Sequence, residues 1–268
     1  MPLSTAQIDA AADALDRAEV SGEQIGLLSV AHPDMTEDDA YAVQAAWLVR
    51  RSRGTERTGA KIGLTSRAMQ QALGIDSPDS GVLFADMEVP DGGAVPAGRY
   101  IQPRVEAEIA FILRKPLGRA PASEADVMDA VAWARPSLEI LDTRILRADP
   151  ATGAPRRVVD TIADNAANAG YVLGGGWFRP EALDLPRAGC ALLKGGEVEE
   201  TGLAAGVMGH PLRALRWLAN HAHARGETLE RGEIILSGSF IRPVECPPGT
   251  TITADFGPLG TVSCHFDA

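Results

Sequence analysis

The run Arg104-Val105-Glu106-Ala107-Glu108-Ile109-Ala110-Phe111 alternates between two kinds of side chain, a pattern that suits a strand and not a helix. Val105, Ala107, Ile109 and Phe111 fall on one face, and Arg104, Glu106, Glu108 and Ala110 on the other. The apolar face needs a partner layer. The acidic face needs a reason. A rise of about 3.3 Å per residue puts Glu106 and Glu108 about 7 Å apart at Cα on one side. Carboxylates that close repel unless a cation or a shared proton relieves them. An isolated Glu-x-Glu is more often a solvated acidic face, so the reading depends on what the rest of the chain offers.

The rest of the chain is punctuated for a β-rich fold. It holds 28 Gly and 18 Pro, and turn signals such as SPDSG and VPDGGAVPAG separate short β-prone runs. Strands are expected at 60–64, 136–142, 170–174, 234–237, 250–255 and 261–266, with a hairpin turning at Gly195-Gly196. Helices are expected at 5–20 and 67–73. A box at Thr36 and Asp39 opens another through about Arg51, with Ala40, Val43, Ala46, Trp47 and Val49 buried. A box at Ser123 and Asp126 opens a helix ending before Pro136, and residues 143–160 read as a polar loop. Pro211 starts a helix with a stripe of Leu212, Leu215, Leu218 and Ala222, which Gly226 stops. The fold class is α+β: an N-terminal helical region, 1–58, precedes a β-rich domain, 59–268.

Charge and cysteine usage narrow the function. A net charge of −11 over 268 residues argues against nucleic acid or an anionic membrane as partner. The first twenty residues lack the basic start and apolar core of a signal peptide, and no run approaches the roughly 20 apolar residues of a membrane span. Cys190, Cys246 and Cys264 are odd in number and far apart, so they read as reduced core residues of a cytoplasmic protein.

Glu139 is the third carboxylate, set between Leu138 and Ile140 in PSLEILD. Three carboxylates without a nearby Cys or His pair make an all-oxygen site, the ligand set of Mg²⁺ or Mn²⁺. His221 and His223 sit two apart on a helix, point different ways, and read as surface residues. Lys61, in GAKIGLT, either snorkels at an edge or is held in a polar site. Asp79 in SPDSG, and Asp160, Asp164 and Asn165 in VVDTIADNAANAG, read first as turn formers. Ser237-Gly238-Ser239 ends a strand, where a Gly lets backbone N–H groups approach an anion. No dinucleotide fingerprint, P-loop or nucleophile elbow is present.

These pieces, in order through the whole chain, resemble one family. KIGLTSRAMQ, the PDSG turn, RVEAEIAFIL, PSLEILDTR, DTIADNAANAGYVLGG, EETGLAAGVMGHP, IILSGSFIRPV and FGPLGTVSCHF are similar to the hydratase and decarboxylase branch of the fumarylacetoacetate hydrolase superfamily. The resemblance implies a mixed β-sheet roll behind a small helical region. It implies Glu106, Glu108 and Glu139 as ligands for Mg²⁺, with Mn²⁺ as an alternative, and Lys61 and Asp79 as catalytic residues. Leu64, Asn165, Ser237, Gly238 and Ser239 would line the substrate pocket. The implied reaction is metal-dependent addition of water to a 2-hydroxy-2,4-dienoate, with 2-oxohept-4-ene-1,7-dioate favoured, giving a 4-hydroxy-2-oxo acid in aromatic catabolism. A 4-oxalocrotonate-type decarboxylation or hydration of 2-oxopent-4-enoate is the alternative, and a homo-oligomer built from dimers is implied as well. Ile241 stands where the branch pattern has Thr, and the region from His32 to Glu37 does not reproduce the His–Glu pair of the family's C–C hydrolases. A second carboxylate on the substrate would call for an arginine, the candidates being Arg104, Arg144, Arg156, Arg157 and Arg242.

Overall fold

The computed structural model describes residues 2–268. Its larger sheet has eight strands. Asp79–Phe84 is antiparallel to Arg57–Gly63, which runs parallel to Ile234–Leu236. Then come Arg104–Leu113, Val131–Leu141 and Asn168–Leu173, each antiparallel to the one before, and Glu88–Val89 closes the row in parallel. Short Val244–Glu245 pairs with the start of Arg104–Leu113. A second, five-stranded sheet runs Gly93–Val95, Thr261–Phe266, Thr250–Asp255, Gly189–Lys194 and Glu197–Leu203. Its hairpin turns at Gly195 and Gly196, with φ of 60° and 92°, the positive values that a tight two-residue turn requires.

The core lies between these sheets. Val105, Ala107, Ile109 and Phe111 are each 0% exposed and share one apolar cluster with Leu138, Ile140, Ile252 and Val262. Burying each of the larger ones contributes about 1.5–3 kcal/mol. The stripe Leu212, Leu215, Leu218 and Ala222 of the helix Pro211–Ala224 joins the same cluster. The opposite face of Arg104–Leu113 is thereby left for polar groups.

The N-terminal helices Thr5–Ser21 and Glu37–Arg51 are capped by Ser4 with Gln7 and by Thr36 with Asp39. Leu15, Val43 and Trp47 pack against Ile145, Val159 and Ile162, so the helical region is seated on the segment that follows Val131–Leu141. Val49 is 63% exposed and Ala46 only half-buried, contrary to the expected set. Two residues beyond Trp47, Val49 is turned about 200° round the helix, onto its outer side.

Other boundaries depart too. The helix capped by Ser123 ends at Ala130, and the strand Val131–Leu141 takes over VAWAR together with Pro136. The proline is tolerated at the end of the ladder with Asn168–Leu173: the Gly174 N–H still donates to its carbonyl at 2.9 Å, and the Gly174 carbonyl is taken by the Arg135 guanidinium at 2.6 and 3.0 Å, so the missing N–H leaves no acceptor unpaired there. The polar loop is shorter than expected, giving way to a helix at Val158–Ala163. His221 is not a surface residue: it stacks on Trp217 at 4.8 Å and lies 5.0 Å from Tyr41. His223 Nδ1 is 3.0 Å from the Gly118 carbonyl. The three cysteines are free and buried, and burial pushes each thiol up to about 12. No helix among the described residues is long and apolar enough to cross a membrane.

Candidate metal centre

Antiparallel register places Glu106 directly opposite Glu139, and Glu108 opposite Ser137. The register runs unbroken from Arg104 to Ile112, so the alternation carries Glu106 and Glu108 to one face. One oxygen from each of Glu106, Glu108 and Glu139 lies within 4.8 Å of the others. Glu108 and Glu139 are 0% exposed and Glu106 is half-buried.

Two of the three are clamped from one side only. The Gly238 N–H donates to Glu108 Oε2 at 2.7 Å, while Glu108 Oε1 is buried without a partner. Asn168 Nδ2 donates to Glu139 Oε1 at 2.7 Å and Lys61 Nζ lies 3.4 Å from the same oxygen, while Glu139 Oε2 is unpaired. Burial raises Glu106 to about 8; Glu139 adds to that, and Lys61 and Arg104 oppose it. Burial with Glu139 and Glu106 beside it pushes Glu108 well above its ordinary value. Burial alone would lower the Lys61 ammonium, but Glu139, Asp79, Glu106 and Glu108 outweigh it and hold the group charged. Burial raises Asp79 to about 6, against the pull of Lys61 and with a push from Glu139.

A divalent cation fits these residues. Ionised together, three carboxylates beside one ammonium would leave two uncompensated negative charges in a buried place; with burial, that repulsion raises Glu106 and Glu108, and a divalent cation would relieve it. The orphaned Glu108 Oε1 and Glu139 Oε2 are oxygens of the kind a hard cation takes, and neither sulfur nor imidazole is among the donors.

The remaining expected residues divide. Lys61 and Asp79 flank Gly63, where an added Cβ would lie 2.1 Å from Asp79 Oδ1 and 3.0 Å from Lys61 Nζ, so only glycine lets the two approach. Gly238, at φ 103°, is needed for the same kind of reason: a Cβ there would meet Thr65 Oγ1 at 2.4 Å. Ser237 Oγ is buried and unpaired, whereas Ser239 Oγ is engaged by the Ile241 carbonyl at 2.9 Å. Leu64, at φ 55°, ends the Lys61 strand. Asn165 does not turn its side chain to the cluster: it pairs with both backbone groups of Val82, at 2.8 and 3.0 Å. Its backbone begins a run of left-handed residues, Asn165, Ala166 and Ala167, a costly conformation for side-chain-bearing residues.

Asn168 is the residue that the sequence reading missed. It sits three residues beyond Asn165 in the same DNAANAG segment, and nothing in that composition separates one amide from the other. What holds it is Arg144, which is 2% exposed. Arg144 donates to the Asn168 carbonyl at 3.1 Å, to Glu19 Oε2 at 2.8 Å and to the Asp164 carboxylate, and it lies over the Trp47 ring at 5.0 Å. Asp160 is likewise structural, accepting from Ser29 N at 2.8 Å and Ser29 Oγ at 2.6 Å.

Comparison with known proteins gives a consistent picture. The model of the fumarylacetoacetate (FAA) hydrolase C-terminal family matches residues 60–266. The chain is 46% identical over 256 residues to a 2-oxo-hept-4-ene-1,7-dioate hydratase of Escherichia coli, covering 95% of this chain and 96% of that one. It is 40% identical over 263 residues to a 2-keto-4-pentenoate hydratase of Paraburkholderia xenovorans, covering 98% and 96%. Among solved structures, a 4-oxalocrotonate decarboxylase from Pseudomonas putida G7, complexed with magnesium and adipate, superposes with a TM-score of 0.92 at 35% identity over 98% of both chains.

Proposed function

The chain belongs to the fumarylacetoacetate hydrolase family, and from that we propose that it is a hydro-lyase that adds water to a 2-hydroxy-2,4-dienoate, with Mg²⁺ as its metal and Mn²⁺ as a substitute. The observation that carries the reading is the convergence of Glu106, Glu108 and Glu139 within 4.8 Å, with Lys61 3.4 Å from Glu139. The hydratase relatives at 46% and 40% identity support the reaction, and the magnesium complex of the decarboxylase supports the choice of ion.

The three glutamates would hold the cation, which supplies Lewis-acid stabilisation of the substrate's 2-oxygen as that oxygen gains negative charge. In the reaction the 2-hydroxyl loses its proton and C5 gains one, giving a 2-oxo-3-enoate; water then adds its hydroxyl at C4 and its proton at C3. The chain's own groups divide this work. Lys61, kept charged by the surrounding carboxylates, is a fixed ammonium that favours negative charge at the site. Asp79, raised to about 6, is the group beside it that exchanges a proton near neutrality, the property that acid–base catalysis needs. Ser237 Oγ is a free hydroxyl for orienting substrate or water. Leu64 and Gly238 would shape the pocket wall, and Asn165 and Ser239 would act through the backbone they order.

Decarboxylation of 4-oxalocrotonate is the second reading, supported by the 0.92 superposition on a decarboxylase. One assay separates the two. Freshly generated dienol with Mg²⁺ should lose its ultraviolet absorbance without releasing CO₂; CO₂ in step with bleaching would favour the decarboxylase, and no bleaching would reject both. The reading further includes a homo-oligomer built from dimers and a cytoplasmic location, the latter supported by three free buried cysteines.

A further inference from the structure

We propose that Tyr41 and Gln44, on the helix Glu37–Arg51, together with Asn165, are positioning residues for Asp79, which they serve by clamping the free edge of the strand that carries it. The inference rests on the dienoate reading above, in which Asp79 moves a proton, and deepens it.

Asp79–Phe84 is the first strand of the larger sheet, with Arg57–Gly63 on one side only. In an antiparallel pair, successive residues turn their N–H and C=O alternately towards the partner strand and away from it. An edge that leaves the outward groups bare invites another strand to pair with it. Here those groups are taken by side chains. The Ser80 N–H donates to Tyr41 Oη at 3.2 Å, and Gln44 Nε2 donates to the Ser80 carbonyl at 2.9 Å. The Val82 N–H donates to Asn165 Oδ1 at 2.8 Å, and Asn165 Nδ2 donates to the Val82 carbonyl at 3.0 Å. Three side chains stand where a neighbouring strand would.

The clamp is tightly built. Tyr41 and Gln44 lie one turn apart on the same side of their helix, and both are buried, as is Asn165. Gln44 Nε2 also donates to the Ile162 carbonyl at 2.8 Å, in the helix Val158–Ala163 that leads to Asn165, so one amide ties both halves of the clamp together. The Asn165 backbone closes onto the strand as well: a Cβ at Gly81 would lie 2.4 Å from the Asn165 carbonyl oxygen.

Asp79 depends on that clamp for its place. It sits opposite Gly63 in the ladder, next to the clamped Ser80, and its Oδ1 is buried with no hydrogen bond of its own. Its position beside Lys61 is therefore set by the backbone that carries it. A reacting group misplaced by about 1 Å can cost about 100-fold in rate. The three glutamates stand apart from this effect. They are on Arg104–Leu113 and Val131–Leu141, and Arg57–Gly63 and Ile234–Leu236 separate those strands from Asp79–Phe84. Loosening the clamp should thus be felt in proton transfer and not in metal binding.

The test compares dienol turnover, Mg²⁺ affinity by calorimetry and thermal melting in Gln44→Met, which keeps the length of the side chain and removes both donors, and in Tyr41→Phe. Thr36→Ala is the control, because it weakens the same helix at its cap without touching the strand. Gln44→Met should lower kcat about 10- to 100-fold with KM and Mg²⁺ affinity unchanged, and Tyr41→Phe should lower it less. Thr36→Ala should melt earlier and keep its kcat. In an Asp79→Asn background Gln44→Met should add no further loss, since both changes act through one group. Full kcat in Gln44→Met, an equal loss in Thr36→Ala, or losses that simply add to that of Asp79→Asn would overturn the positioning role. If Asp79→Asn by itself turns over normally, the reading of Asp79 as the proton carrier falls and takes the clamp's role with it. If Asp79→Asn is impaired while Gln44→Met and Tyr41→Phe are not, the positioning role alone falls.

Discussion

Replacing Asn168 by Ala removes the shortest contact to Glu139, the 2.7 Å bond to Oε1, and leaves Lys61 at 3.4 Å. A hydrogen bond to a charged group is worth about 1.5–3 kcal/mol. If the bond only stabilised the ionised carboxylate, it would do so with and without a cation, and the whole loss would appear as a lower melting temperature. The geometry argues for more. Asn168 and Lys61 both engage Oε1 and so fix the carboxylate, leaving Oε2 buried and without a partner. Without the amide, Glu139 is free to rotate away, and the cation must then re-orient it on binding. Metal affinity should fall about 10- to 100-fold, the usual effect of removing a group that orients a ligand. Titration of chelator-treated protein with Mg²⁺ by calorimetry, alongside thermal melts without metal, separates the two effects. A dissociation constant within about twofold of the unaltered protein, with only the melting temperature lowered, would refute the orienting role.

Gly238→Ala places a Cβ 2.4 Å from Thr65 Oγ1 at a φ of 103°. The conformation alone costs about 1–3 kcal/mol, and the shift needed would draw the N–H from Glu108, so both stability and Mg²⁺ affinity should drop; a variant unchanged in both would contradict the clamp. Glu106 and Asp79 have folded values of about 8 and about 6, above their ordinary 4.5 and 3.8, so the metal-free folded state holds extra protons and loses relative stability as pH rises through those windows. The stability gained by Glu106→Gln over the unaltered metal-free protein should therefore grow between pH 4.5 and 8, and a gain that stayed flat across a melting series would count against the raised value. Lys61→Met should reduce turnover about 100-fold or more. Because it removes a cation next to the glutamates, it should leave Mg²⁺ binding as tight or tighter; weaker binding would show that Lys61 serves to build the site.

What was legible in the sequence was what local patterning dictates. Alternation in RVEAEIAFIL placed Glu106 and Glu108 on one face without any knowledge of the partner strand. The boxes at Thr36 and Ser123 marked helix starts because each satisfies its own orphan N–H groups locally. Helix and strand ends were less legible. Val131–Leu141 continues through Pro136 because the Arg135 guanidinium takes the Gly174 carbonyl just past the neighbouring strand, which is a property of the sheet. The pairing of Glu106 with Glu139, and the choice of Asn168 over Asn165 as the amide at the site, depend on register between strands separated by intervening chain. The same holds for Arg144, whose reach from Glu19 to Asn168 joins the N-terminal helices to the site through contacts far apart in sequence. His221 read as exposed because helical spacing separates it from His223, but Trp217 and Tyr41 cover it.

The central claim is that Glu106, Glu108 and Glu139 together hold a divalent cation. Anomalous diffraction from crystals soaked in Mn²⁺ tests it most directly. One anomalous peak at coordination distance from a carboxylate oxygen of all three glutamates, including Glu108 Oε1 and Glu139 Oε2, is the predicted result. A peak held by other residues, or no peak at a Mn²⁺ concentration that supports turnover, would contradict it.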